Sequence, residues 1–176
     1  MLRYLAFASL LLATVLASPA QEAYLLQVPD SGRVQYRFDI DARGNDLSGI
    51  AIMKMVNDSI KGVMVNEFGI KAMDFVLSPD RQKVELADVI PFIDKWYIKR
   101  IIKADLQYLF NATTAMLGSE SDNRTLSTTG DDGSITMTNS KYKISYTFTP
   151  IKDEPQPQDD GDPGVEEEAP SDDAAQ

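Results

Sequence analysis

Between Leu47 and Phe110 the chain breaks into four short apolar runs, each closed by a turn signal, and then one long amphipathic stretch. Asn57-Asp58, Asn66-Glu67-Phe68-Gly69 and Ser78-Pro79-Asp80 recur about every 10 residues, the spacing of an antiparallel meander. In the run Leu47 to Val56, Ala51, Met53 and Met55 alternate with Ile50, Ile52 and Val56. In the next, Ile60 and Met64 oppose Val63 and Val65, and in the third Met73, Phe75 and Leu77 oppose Ala72 and Val76. An antiparallel sheet with one wet face reads apolar-in, polar-out. These strands are apolar on both sides, so each face needs a cover, or one face lines a cavity.

The covering element follows at once. Ile93, Tyr97 and Ile101, with Ile98, Ile102, Leu106, Leu109 and Phe110, keep the 3–4 spacing of a helix. Pro91 suits its first turn and Asp88 is the expected N-cap, which predicts a helix of about 20 residues. Lys95, Lys99 and Lys103 form a basic stripe along it. Strands followed by a helix that packs on them predict an α+β fold, a curved antiparallel sheet with one long amphipathic helix.

The flanks read as additions to this frame. Val34, Tyr36, Phe38 and Ile40 alternate with polar residues as a half-buried strand, and Tyr24 to Val28 is a short apolar lead-in. Residues 111–133 are rich in Ser, Thr, Asn, Asp and Gly and read as a long polar connection. A last hairpin follows, Ile135 to Thr138 and Tyr142 to Phe148, turning at Asn139-Ser140. Residues 1–20 carry Arg3, an apolar run and small residues at Ala17 and Ala20, the pattern of a cleaved secretory signal. Residues 21–152 form the expected sheet-plus-helix domain, and residues 153–176 an acidic tail expected to be disordered. The domain is nearly neutral, with 16 basic against 17 acidic residues, while the tail holds ten acids and no Lys or Arg.

Chemistry is thinly supplied. The chain has no Cys and no His, which removes thiol nucleophiles, imidazole bases, disulfides and most zinc or haem sites. No cofactor or metal is expected. The neutral domain offers no basic excess for nucleic acid. No stretch of the mature chain is long and apolar enough to span a bilayer. Glu67, Asp74 and Asp105 stand alone in the pattern, and no acid–base pair follows from their spacing. Two features remain. Met53, Met55, Val63, Val65, Met73 and Phe75 are candidate walls of an apolar cavity, or else plain core under the helix. Lys95, Lys99 and Lys103 are candidate contacts for a partner or an anionic headgroup, or else a solvated helix face. Trp96 sits off the main apolar face, a candidate contact residue or else a rim residue packed on the sheet edge.

The segments Asp46 to Lys54 (DLSGIAIMK), Asn66 to Phe75 (NEFGIKAMDF) and Asp94 to Leu109 (DKWYIKRIIKADLQYL) resemble, in order and spacing, a family of uncharacterised bacterial envelope proteins, often lipoproteins. The resemblance covers about 75 residues, an extent typical of a domain core. It implies a fold similar to the LolA and LolB lipoprotein carriers, an incomplete antiparallel barrel with helices and an apolar cavity. The lipid-attachment Cys of lipoproteins is missing here, and the acidic tail lies outside the shared pattern. The expected protein is a non-enzymatic, exported envelope component, periplasmic or extracellular. Its cavity would hold a lipid acyl chain or hydrophobic segment, with a lipid or lipoprotein and an envelope protein as candidate partners. The alternative is an interaction or assembly module with a closed core, reaching its partner through the helix stripe and tail.

Overall fold

The computed structural model describes residues 23–129 and 132–152. The signal read at residues 1–20 and the acidic tail lie outside these. Among the described residues nine strands form one antiparallel sheet: β1 Val34–Ala42, β2 Asp46–Val56, β3 Ser59–Asn66, β4 Lys71–Leu77, β5 Val84–Ala87, β6 Glu120–Ser121, β7 Arg124–Thr129, β8 Ser134–Asn139 and β9 Ile144–Pro150. The helix α1, Trp96–Phe110, joins β5 to the second half of the chain. The strand order is β5-β4-β3-β2-β1-β9-β8-β7-β6, so the first and last halves of the chain meet at β1 and β9. The sheet is open, with β5 and β6 at its edges.

Strand register places the residues as period-two alternation requires. Tyr36 faces Ala51, Ala51 faces Met64, and Met64 faces Met73. Phe38 faces Phe148 across β1 and β9, and Tyr146 faces Met137 on β8. These side chains share the inner face beneath α1 and are buried. Gly62 sits among them opposite Phe75. A Cβ at Gly62 would lie 2.1 Å from the Phe75 ring, so the missing side chain is what lets that ring lie flat on β3.

The sheet must curl around the helix. Phe110 stacks at 5.4 Å on Phe75 of β4, while Asp105 bonds Arg124 of β7. In a flat sheet β4 and β7 would stand about 29 Å apart, six spacings of ~4.8 Å. Five helical residues span only about 7.5 Å. Side-chain reach cannot bridge the difference, so curvature does.

Three expectations needed adjusting. The helix begins at Trp96, with Lys95 as N-cap and no side-chain cap. Asp88 is not the cap: it stands at φ 47° and its carboxylate takes a hydrogen bond from Lys71. Pro91 belongs to a separate turn closed by Ile93 and Asp94 amides on the Ile90 carbonyl. The polar connection holds two strands, β6 and β7, and a single turn of 3₁₀ helix at Thr114–Met116. β7 (RTLSTT) escapes pattern reading because only Leu126 is apolar; Arg124 takes the other buried inward position. The final strand starts at Ile144, with Ser140 to Lys143 forming the turn.

The lead-in does dock. Leu26 is buried, the Leu25 amide donates to the Ala112 carbonyl, and Tyr24 bridges Thr113. Arg81 stacks 3.6 Å over the Tyr24 ring and donates to the Phe110 carbonyl, closing the C-terminal end of α1. A cation at the negative end of a helix is the favourable arrangement.

Candidate functional site

The two ends of α1 meet the sheet differently. At its C-terminal half Leu106, Leu109 and Phe110 are buried against Met53, Met64, Met73, Phe75 and Leu77. At its N-terminal half Trp96 and Tyr97 are 74% and 51% exposed, and nearby Phe92 is 61% exposed. The helix there stands off the β8–β9 hairpin and leaves a cleft of about 760 Å³. Phe92, Trp96, Tyr97 and Ile101 form one wall, and Tyr142 and Ile144 the other. Arg43, Arg100 and Lys141 add positive charge to its lining, and Asp122 a carboxylate. Trp96 and Tyr97 meet edge to face, with ring centroids 6.0 Å apart.

Ala104 of α1 also lines the cleft, as do Arg124 and Asn139, which belong to a buried polar cluster. Asp105 of α1 is fully buried and accepts three hydrogen bonds. Arg124 Nε and Asn139 Nδ2 both donate to its Oδ1 at 2.8 Å, and the Tyr146 hydroxyl donates to Oδ2 at 2.9 Å. Arg124 Nη1 also donates to the Asp122 carbonyl at 3.1 Å and to the Asp122 carboxylate. One carboxylate thus ties the helix to β7, β8 and β9. Burial, then the Asp105 carboxylate beside it, pushes the Tyr146 phenol well above its ordinary value of 10.0. Burial alone would lower Arg124, but its bonds to Asp105 and Asp122 hold it above the usual guanidinium range. The Tyr108 hydroxyl, under the same guanidinium, is buried with no hydrogen-bond partner among the described residues. Nothing in this cluster pairs a nucleophile with a base: the carboxylate is saturated by donors and the phenol is held protonated. It can position a helix and neutralise buried charge.

The apolar set named from the sequence is divided. Met53, Met73 and Phe75 are buried on the inner face, with Met55 half-buried on the same side. Val63 and Val65 point to the outer face, half-buried. None of the six lines the cleft. The lysine stripe is divided too. Lys99 pairs with Asp94 at 2.6 Å and, with Lys103, lines a shallower groove of about 490 Å³ beside Gln82, Lys83 and Val84. Lys95 is exposed, precedes the helix and does not line that groove. Trp96 lines both the cleft and the groove.

Sequence reading missed Arg124, Asn139 and Tyr146, and it took Asp105 as an isolated carboxylate, whereas the fold gives it three donors. A signal existed for one of them: Asp105 falls on the line Ile98, Ile102, Asp105, Leu109, an acid inside the apolar stripe. A charge in that position is buried only with a partner. Among the described residues no three His, Cys, Asp or Glu side chains gather to hold a metal, and no helix is long and apolar enough to cross a membrane. No known protein-family model matches the chain, and no curated protein matches it.

Proposed function

We propose that this is a non-enzymatic binding protein of the bacterial envelope, exported by its leader, that holds an acyl chain or a hydrophobic segment in the cleft between α1 and the β8–β9 hairpin. The observation that carries the reading is the unsealed N-terminal half of α1. Three large aromatic side chains stay more than half exposed along one wall of a 760 Å³ cleft. A pocket of a few hundred Å³ with apolar walls and a few placed polar groups is the usual form of a small-molecule site. Arg43, Arg100 and Lys141 suit a ligand with an anionic end, such as a fatty acid or an acidic headgroup. The curled, open sheet with one helix on its inner face supports a LolA/LolB-like incomplete barrel, and the cleft takes the place that the Met-rich face was expected to fill. That face is packed beneath the helix.

Trp96 is the single tryptophan and lies in the wall, so its emission reports on the cleft directly. Titration with oleate should shift the emission to the blue and saturate. Ala104→Arg, which fills the cleft from the helix, should abolish the shift while the far-UV circular dichroism stays unchanged. Arg100→Glu should weaken oleate several-fold and leave oleyl alcohol unaffected, consistent with the size of an exposed charge contact. A flat titration of the folded protein with both ligands overturns the reading.

A further inference from the structure

The shallower groove of about 490 Å³ lies between α1 and the edge strand β5. Lys83, Lys99, Arg100 and Lys103 line it, and among the described residues no carboxylate does. Gln82 and Gln107 add amide donors, and Trp96 and Val84 apolar surface. The acids beside it are already engaged: Glu85 by Lys83 and Asp94 by Lys99, both at 2.6 Å, and Asp80 by the Ser78 hydroxyl and the Gln82 amide. Arg100 and Lys103 have no ion-pair partner among the described residues. Lys99 and Lys103 are four apart on one helix, where like charges repel. The groove begins at the end of the sheet where β4 stops and β5 starts, and β9 stops at that same end. The contacts there are continuous. The Ile151 amide donates to the Gln35 carbonyl, the Tyr36 hydroxyl holds the Gln27 backbone, and Tyr24 lies under Arg81, which precedes Gln82.

We infer that the chain's own acidic tail, residues 153–176, folds back and docks in this groove. The charges match: the tail holds ten acids and no Lys or Arg, six of the acids within residues 159–168, and the groove is lined by cations alone among its charged groups. The length suffices. An extended run of 24 residues spans up to about 80 Å, against a width of about 35 Å for a domain of this size. The starting point is right as well, since the tail continues from β9 at the end of the sheet where the groove begins. Single exposed ion contacts are weak, but a tethered segment is presented at about millimolar effective concentration, so several together hold it. The cleft is the poorer host: Asp122 lines it, and its Arg43, Tyr142 and Ile144 stand at the opposite end of the sheet. Trp96, Arg100 and Ala104 line both the cleft and the groove. A docked tail therefore competes for Arg100 with the anionic end of a cleft ligand, a consequence that rests on the ligand reading proposed above.

The chain has no Cys, so Ala169→Cys carries a single nitroxide next to Glu166, Glu167 and Glu168. In amide spectra of the isotope-labelled chain at about 10 mM salt, where charges act over about 30 Å, Lys83, Val84, Lys99 and Lys103 should broaden several-fold more than Lys54 or Tyr142. At about 1 M salt, where that range shrinks to about 3 Å, the difference should vanish. Lys99→Gln/Lys103→Gln, with unchanged far-UV circular dichroism, should lose most of the selective broadening. So should Glu166→Gln/Glu167→Gln/Glu168→Gln, which leaves the domain untouched. Uniform or absent broadening at low salt, broadening that survives 1 M salt or either set of substitutions, or broadening centred on Tyr142 and Ile144 would each overturn the inference. So would broadening seen only between nitroxide-bearing and isotope-labelled copies mixed together. The competition is read separately: at low salt the glutamine tail variant should bind oleate several-fold more tightly than the native chain. Equal affinity alongside selective broadening overturns the competition alone. Absence of oleate binding in both overturns the ligand reading, while the docking stands on the broadening.

Discussion

Neighbouring segments of α1 solve the same problem by different means. The C-terminal half holds the sheet through Leu106, Leu109 and Phe110, which sit in a dry mosaic of Met, Phe and Leu. Asp105, one residue before them, holds it through a buried carboxylate and its three donors, and the helix N-terminal to it leaves an open cleft beside them. Apolar packing is non-directional and improves as the surfaces close, so it seals. A hydrogen-bonded ion cluster fixes distance and orientation, so it can hold a helix without closing the gap next to it. That difference lets one helix serve as lid at one end and as cleft wall at the other.

The largest effect should come from breaking the polar end. Asp105→Ala leaves the Arg124 guanidinium buried without its main partner, and urea unfolding should show a loss of about 3–5 kcal/mol. The double variant Asp105→Leu/Arg124→Met removes both charges and should recover most of that loss. If the double variant is no more stable than the single, the cluster does more than neutralise itself.

A smaller effect should come from the dry end. Leu109→Ala opens a cavity in a close-packed region and should cost about 2–5 kcal/mol, read from the same unfolding curves. Ile101→Ala, half-buried beside the cleft, should cost clearly less, because water already reaches that wall. Equal losses at the two positions would mean that the cleft is closed in solution and would remove the contrast.

The smallest effect is one of pH. The Tyr146 phenol has a folded pKa raised well above 10.0, so the folded state keeps a proton that the unfolded state gives up. Stability from this group is therefore complete below about pH 10 and declines as the pH rises above it. Thermal midpoints measured between pH 9 and pH 12, spanning that ordinary value, should fall in the native chain and fall less in Tyr146→Phe. An equal fall in both would place the alkaline sensitivity elsewhere, with Tyr36 the next candidate because burial also raises its phenol.

How far the sequence reaches differs between these regions. The strands β1 to β4 are legible because every inward position is apolar and each turn is marked by Asn, Asp, Gly or Pro. The dry end of the helix is legible for the same reason: Leu106, Leu109 and Phe110 continue the stripe of Ile98 and Ile102. The polar end is not. Arg124 lies 19 residues from Asp105, Asn139 lies 34 away and Tyr146 lies 41 away. No local period relates them, and β7 hides its inward face behind Arg124. The division of Val63 and Val65 from Met53 and Phe75 follows from alternation, but that none of them reaches the cleft depends on where the helix sits.

Alone, the sequence determined the strands of the meander, which residues share each face, the helix register and the absence of thiol and imidazole chemistry. These depend on backbone periodicity and composition, which act within a few residues. Only the tertiary structure decided that β9 pairs with β1, that the sheet curls until one helix touches β4 and β7, and that Asp105 is the tie between them. It also decided that the lead-in and the helix both cover the inner face, with no described element left over for the outer one. Each of these is a long-range closure, and long-range closures are set by packing, which no single stretch of chain contains.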